Sequence, residues 1–278
     1  MFDFPQDKLD VFLDRVLLED IGTGDITTNT VIAKGTKSKA TMVAREEMVL
    51  AGISMASACF LKLDPNIKIV LHQKDGECIQ QDCPIMTLEG KAHAILTAER
   101  VALNLVQHLS AIATLTQKYV CKIKGTSAIL LDTRKTTPGL RVLEKYATRM
   151  GGAENHRMGL YDAVMIKDNH IAIAGGISEA LKMAKASSFK NIVIECDTIE
   201  QVKEALAIGA DRLLLDNMTT KELGDAVTLN KQKIPLEASG GVTLETIHSI
   251  AKTGVNYISV GRITQSALSV DIGLDFIK

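Results

Sequence analysis

The chain lacks the features that would tie it to a structural metal, a membrane or a nucleic acid. Its five cysteines, Cys59, Cys78, Cys83, Cys121 and Cys196, form no CxxC pair and show no zinc-ligand spacing. An odd number of scattered thiols with no signal-peptide pattern suits a reducing compartment, so the expectation is a cytoplasmic protein with free thiols. No apolar run reaches the roughly 18 residues of a membrane span before charge or glycine breaks it. There is no surplus of positive charge either: the net charge is -1, which excludes bulk attraction to nucleic acid. With 46% hydrophobic and 23% charged residues, the composition carries no signature of disorder. A chain of 278 residues can bury a substantial core in one large domain or two.

The first part of the chain mixes helix and strand signals. Lys8 to Leu18 sets Leu9, Phe12, Leu13 and Val16 at helical spacing, and Gly22 to Asp25 ends that pattern with turn chemistry. The stretch EDIGTGDITT reads as a loop rich in acids and hydroxyls. Lys39 to Ala44, Ile67 to His72 and Pro84 to Leu88 read as strands, with a helix over Ser54 to Leu63, which together predict a small α+β domain. Thr97 to Leu109 predicts an apolar helix with Arg100, Asn104 and His108 on one stripe. Periodicity makes that stripe an ordinary solvent edge, unless an anion or a partner faces it.

From Ser127 the pattern becomes strand then helix, repeated. Strands are expected at Ser127 to Leu131, Ala163 to Ile166, Asn191 to Ile194, Arg212 to Leu215, Pro235 to Ala238 and Asn256 to Val260. Helices are expected at Arg141 to Arg149, Ile177 to Ala186, Ile199 to Ile208, Lys221 to Leu229 and Leu244 to Lys252. Repeated βα units imply parallel strands with right-handed crossovers, and six strands fall short of a full eight-stranded barrel. The fold class expected is therefore α/β: an α+β domain followed by an incomplete, modified parallel β/α barrel.

The residues just past each strand carry the chemistry. Asp132, Arg134 and Lys135 come after the first, Lys167 and Asp168 after the second, Glu195 and Asp197 after the third. Asp216 and Asn217 come after the fourth, Ser239, Gly240 and Gly241 after the fifth, and Gly261 and Arg262 after the sixth. In β/α barrels that rim builds the active site. The stretch Asp132 to His170 concentrates Arg134, Lys135, Arg141, Arg149, Arg157 and Lys167 around the Gly151–Gly152 pair. Cations placed after buried strands point into a cleft and favour a carboxylate or phosphate ligand. The ASGG and VG strand ends let backbone amides approach a phosphate, with Thr243 as the N-cap of the next helix. Glu195 and Asp216 end neighbouring strands and could hold Mg²⁺ beside substrate phosphates, or could be strand-end ion pairs with the lysines.

Three readings stay open on these residues alone. One is group transfer on a phosphorylated, polyanionic substrate. A second is a Schiff-base aldolase using Lys167. The third is a noncatalytic protein that binds a small anion.

The segments DTRKTTPGLR, KYATRMGGAENHRMGLYDAVMIKDNH, LLLDN and LEASGGV resemble the quinolinate phosphoribosyltransferase family, also called carboxylating nicotinate-nucleotide pyrophosphorylases. The likeness extends from EDIGTGDITT through NLVQHLSAIAT to VGRITQSALSVDIGLDF. It implies an enzyme of NAD biosynthesis that converts quinolinate and phosphoribosyl pyrophosphate, with Mg²⁺, to nicotinate mononucleotide, pyrophosphate and CO2. It also implies a homodimer with shared active sites, in some members within a hexamer, and domains of residues 1–108 (joined by 267–278) and 109–266. By this resemblance Arg134, with Thr133 beside it, His156, Arg157 and Lys167 hold the quinolinate carboxylates, and Arg100 reaches in from the neighbouring subunit. Lys135, Glu195 and Asp216 serve phosphoribosyl pyrophosphate and its metal as the catalytic set, while Ser239, Gly240, Gly241, Gly261 and Gln265 receive phosphate. The chain departs from the family pattern at Gln265, where His is common, at Arg262, where a small residue is common, and at Ala111, where Gly is common. Those departures leave room for a related pyrophosphorylase-like protein of molybdate-transport operons.

Overall fold

The computed structural model describes residues 6–187 and 189–277. Helix α1 (Gln6–Ile21) is longer than its apolar spacing suggested, buries Leu13 and Leu17, and stops where Gly22 turns to a positive φ. The loop expected next is in part a helix, α2 (Ile26–Val31). The Asp25 carboxylate accepts the Thr28 N–H at 2.9 Å and starts this short turn in a sequence of weak helix formers.

Next come β1 (Lys37–Ala44), β2 (Met48–Val49), α3 (Ile53–Leu63), β3 (Lys68–Leu71), β4 (Cys78–Ile79) and β5 (Pro84–Lys91). Helix α4 (Ala92–Ile123) runs well past both ends of its expected span, because no glycine or proline interrupts residues 92–123. Its face of Ile95, Ala98, Ala102, Val106, Leu109 and Ala113 is buried.

The βα succession then reads β6 (Ile129–Leu131), α5 (Arg141–Met150), β7 (Met165–Ile166), α6 (Asp168–Ala174), α7 (Ile177–Lys185), β8 (Val193–Cys196), α8 (Ile199–Ile208), β9 (Arg212–Asp216) and α9 (Thr220–Asn230). It ends with β10 (Leu236–Ser239), α10 (Ile247–Ala251), β11 (Tyr257–Ser259), α11 (Arg262–Gln265) and a last strand, β12 (Ile272–Ile277). Helices α8 and α9 start with capping boxes at Thr198–Gln201 and Thr219–Glu222. Helix α10 begins later than expected: Thr243 to Thr246 form a turn, so the N-cap is Thr246 and not Thr243.

Two compact units result. The first comprises the described residues up to Leu115, Val142–Gly151 and the segment from Ala267. Its antiparallel sheet has the order β12-β1-β5-β3, with Ala44 opposite Ile272 and Lys39 opposite Ile277. Helix α5, expected in the barrel, belongs to this unit instead. Its residues 143–148 are buried, Tyr146 donates its hydroxyl to Asp75 at 2.6 Å, and Glu144 meets His108 at 2.9 Å. The expected division at 108/109 falls inside the unbroken helix α4, and the compact units divide at 115/116.

The second unit, Thr116–Arg141 with the described part of Gly152–Ser266, carries a six-stranded sheet of order β6-β11-β10-β9-β8-β7. Every pairing in it is parallel. All of β8 is buried, as is Leu213–Leu215 of β9, which accounts for these strands reading as apolar runs. β6 and β7 are the two ends of the order, so this is the incomplete barrel that six strands implied. All five cysteines are free thiols, and among the described residues no helix is long and apolar enough to cross a membrane.

Candidate active site

The carboxyl-terminal ends of the second unit's strands surround a cavity of about 690 Å³. Thr133, Arg134 and Lys135 enter it from the loop after β6, His156 and Arg157 from the segment before β7, and Lys167 from the end of β7. Asp216 comes from the end of β9, Ser239, Gly240 and Gly241 from β10, and Gly261 and Gln265 from β11 and α11. Two expected site residues do not line it. Arg100 is exposed on α4 of the other unit, and Glu195 sits behind Lys167.

Part of the cavity lining is strongly cationic. Arg157 donates to the Ala163 carbonyl at 3.2 Å, and burial together with the Arg134 charge pulls its proton affinity below the ordinary arginine range. Arg134 Nε is buried with no hydrogen-bond partner. Two guanidiniums that repel each other in a partly buried place are stabilised by an anion, above all one with two negative groups. Arg141 and Arg149, counted with them in sequence, have other duties. Arg141 braces its surroundings through Thr136 Oγ1 at 3.0 Å and the Met158 carbonyl at 3.1 Å. Arg149 lies in the first unit, over the Tyr146 ring.

Lys167 and Glu195 form an ion pair of 2.7 Å, with side chains 46% and 6% exposed. Glu195 also accepts the Asp168 N–H at 3.3 Å. Lys167 is therefore not the unpaired, desolvated amine that a Schiff-base nucleophile requires. Asp216 faces the cavity and accepts from Asn217 Nδ2 at 2.6 Å. Nearby, Asp197 is raised above the usual carboxyl range by burial and by the charges of Glu195, Asp216 and Asp168.

Acids that repel one another in this way favour a cation, yet among the described residues no three His, Cys, Asp or Glu side chains converge as a metal cage. The donor set fits a hard divalent ion shared with phosphate oxygens, for which one or two carboxylates suffice.

Another part of the lining is built of close backbone. Gly240 and Gly241 both take positive φ, and a Cβ on Gly240 would fall 2.2 Å from Asn217 Oδ1. Asn217 is itself left-handed, at φ +54°, and donates its N–H to the Ser239 carbonyl at 2.9 Å. A Cβ on Gly261 would lie 2.8 Å from Lys135 Cδ, so the lysine stem crosses that glycine. Exposed amides beside small residues are what a phosphate cradle needs.

Several lining residues were missed in sequence. Asn217 was noted at a strand end without a role, and Arg262 as a departure from a pattern. Glu237 carried a usable signal, a lone acid inside the apolar run Pro235 to Ala238, and it lines the cavity together with Ser259.

Comparison with known proteins agrees with this architecture. The family described as quinolinate phosphoribosyl transferase, C-terminal domain, matches residues 112–275, and its N-terminal domain counterpart matches residues 25–110. A probable carboxylating nicotinate-nucleotide pyrophosphorylase of Bacillus subtilis is 46% identical over 270 residues, covering 96% of this chain and 93% of its own. A protein of the same name from Synechocystis is 42% identical, covering 97% and 93%. The solved nicotinate-nucleotide pyrophosphorylase of Francisella tularensis superposes with a TM-score of 0.95 at 41% identity, covering 99% of this chain and 98% of that one. With both domains matched over nearly the whole length, the chain belongs to the quinolinate phosphoribosyltransferase family.

Proposed function

We propose that this enzyme joins quinolinate to phosphoribosyl pyrophosphate, releasing pyrophosphate and CO2 and leaving nicotinate mononucleotide. The observation that carries the reading is that one cavity is lined both by the mutually repelling Arg134 and Arg157 and by the close backbone of Ser239–Gly241 and Gly261. A pyridine with two adjacent carboxylates suits the first set of groups and a phosphorylated ribose the second.

In this reading Arg134, Arg157 and Lys167 hold the quinolinate carboxylates, with Thr133 and His156 beside them. Lys135 contacts the pyrophosphate, and Asp216 with Glu195 serves the ribose and Mg²⁺. Bound there, Mg²⁺ would supply countercharge for a pyrophosphate leaving group. The chain's own residues do the positioning: the cationic end fixes the ring so that its nitrogen faces the ribose carbon, while Lys135 and the glycine amides stabilise the leaving group. As the C–N bond forms, the ribose–pyrophosphate bond breaks. Departure of the adjacent carboxylate as CO2 then leaves its bonding electron pair on the ring carbon, where the neighbouring pyridinium charge stabilises it, and that carbon takes a proton from solvent.

Arg100 from a neighbouring subunit completes the carboxylate end, which makes a homodimer the smallest active form, within or outside a hexamer. A cytoplasmic location fits the five free thiols.

Incubation with quinolinate, phosphoribosyl pyrophosphate and Mg²⁺ should yield nicotinate mononucleotide. Nicotinate should be a poor substitute, because losing one charge-assisted bidentate contact costs about 2 to 5 kcal/mol. Comparable turnover of the two pyridines, or none with quinolinate, would contradict the assignment.

A further inference from the structure

Glu237 is a carboxylate with 0% exposure in the middle of an apolar strand, a placement that is costly unless the charge is paired. The register of β10 sets it opposite Leu214 and Tyr257, two residues below Ser239 and on the same inward face. Arg212 Nη2 lies 2.6 Å from Glu237 Oε2 as a charge contact outside hydrogen-bond alignment, and the Arg212 guanidinium stacks 4.0 Å over the Tyr257 ring. His156 Nε2 is 3.3 Å from the same oxygen. Burial works to raise the carboxyl's proton affinity, but the His156 contact, the Arg212 charge and the Ser259 hydroxyl outweigh it and hold the group below the usual range.

The other side of the imidazole decides the geometry. His156 Nδ1 accepts the backbone N–H of Arg157 at 2.7 Å, so the ring proton belongs on Nε2, directed at Glu237. A continuous chain results: Arg212, Glu237, the His156 ring, the Arg157 amide, and then the Arg157 guanidinium in the cavity wall. Both ring nitrogens are engaged with protein groups, which suits a strut better than a direct ligand donor.

We propose that Glu237, backed by Arg212, is a positioning residue for the carboxylate-binding end of the cavity: it fixes His156 as the Nε2–H tautomer, so that Nδ1 anchors Arg157. The identity of the ligand rests on the function proposed above, whereas the tautomer does not.

Two measurements test it. In ligand-free wild-type protein labelled with ¹⁵N-histidine, the His156 signals, identified by their loss in His156→Gln, should show a protonated Nε2 and a bare Nδ1. A protonated Nδ1 would overturn the proposal. The variant Arg212→Met with Glu237→Leu removes both charges together, so that neither is stranded in the interior. Its His156 signals should move towards a tautomer mixture, and KM for quinolinate should rise about tenfold or more while KM for phosphoribosyl pyrophosphate stays within about twofold. Glu237→Gln keeps an acceptor for Nε2–H and should hold quinolinate KM near the wild-type value. Equal changes in both KM values, or none, would show a merely structural pair. The wild-type spectrum needs no variant to fold, and it stands even if quinolinate is not turned over, in which case the functional assignment alone fails.

Discussion

Lys135 runs directly across Gly261, so close that one methyl group on that glycine would stand 2.8 Å from the lysine Cδ. The contact is with the middle of the stem and not its mobile end, and the Lys135 carbonyl is held by Thr264 Oγ1 at 2.7 Å. Gly261→Ala should therefore swing the ammonium out of place without straining the backbone, whose φ there is an ordinary -72°. The expected outcome is a KM for phosphoribosyl pyrophosphate raised about tenfold with quinolinate affinity unchanged. Steady-state kinetics with each substrate varied in turn checks it.

Asn217 links the carboxylate rim to the glycine cradle. It adopts φ +54°, donates to Asp216 and fills the space over Gly240. Asn217→Gly keeps the backbone conformation and loses the side-chain contacts, whereas Asn217→Ala loses both, so Ala should be less stable than Gly by about 1 kcal/mol. Both should lower Mg²⁺-dependent turnover about tenfold, since Asp216 is no longer oriented. Denaturant unfolding beside rate measurements separates the two effects. A Gly variant with wild-type kinetics would leave Asn217 a purely conformational role.

Much of this site was legible in the sequence because parallel strands buried on both faces read as apolar runs, and the polar residues that end them converge on one rim. What one dimension could not give was direction. Arg141 and Arg149 lie in the same cationic stretch as Arg134, yet one braces a loop and the other stacks on Tyr146. Helix α5 looked like a barrel crossover because it lies between β6 and β7 in sequence, and only the Tyr146–Asp75 and Glu144–His108 contacts reveal where it packs. The Glu195–Lys167 pair was an alternative to metal binding in sequence, and the 2.7 Å contact gives Glu195 a partner as well as a candidate ion. Short helices α2 and α6 have too little periodicity to find, and α2 depends on one capping carboxylate.

The Lys167–Glu195 pair joins two residues with different proposed roles. Lys167→Ala should raise KM for quinolinate at least about tenfold, by loss of one charge-assisted contact. Glu195→Gln should mainly change the Mg²⁺ dependence of the rate. Titration of quinolinate and of phosphoribosyl pyrophosphate against each variant checks the separation. An unaltered Mg²⁺ dependence in Glu195→Gln would move the metal role to Asp216 or elsewhere.

Asp197 gives a pH signature. Its folded-state proton affinity is raised by burial and by Glu195, Asp216 and Asp168, so it binds a proton more tightly folded than unfolded. The stability linked to it is fully present below the unfolded value of about 3.9 and is lost as pH rises through the higher folded value. Asp197→Asn removes that loss. The variant should melt at a higher temperature than wild type at pH 7, with the gain shrinking to nothing at about pH 3. Thermal melts at the two pH values decide it, and a gain that is the same at both would assign the effect to something other than this charge.

Arg100 supports the prediction of a shared site. It is exposed with Asn104 on α4, a helix whose core face is fully buried, while the cations that line the cavity come from the second unit. If it serves a neighbour's quinolinate, Arg100→Ala and Lys167→Ala homodimers should each be nearly inactive, because every site in either lacks one carboxylate-binding cation. In a mixed dimer one site combines both defects and the other is intact. Co-expression with different tags, followed by purification of the heterodimer, should then recover up to about half of wild-type activity, by the symmetry of an isologous pair. Exchange of subunits during the assay is excluded by re-purifying with both tags afterwards. A verified heterodimer as inactive as its parents would confine Arg100 to its own subunit or to the fold, and the carboxylate end would then have to be complete within one chain.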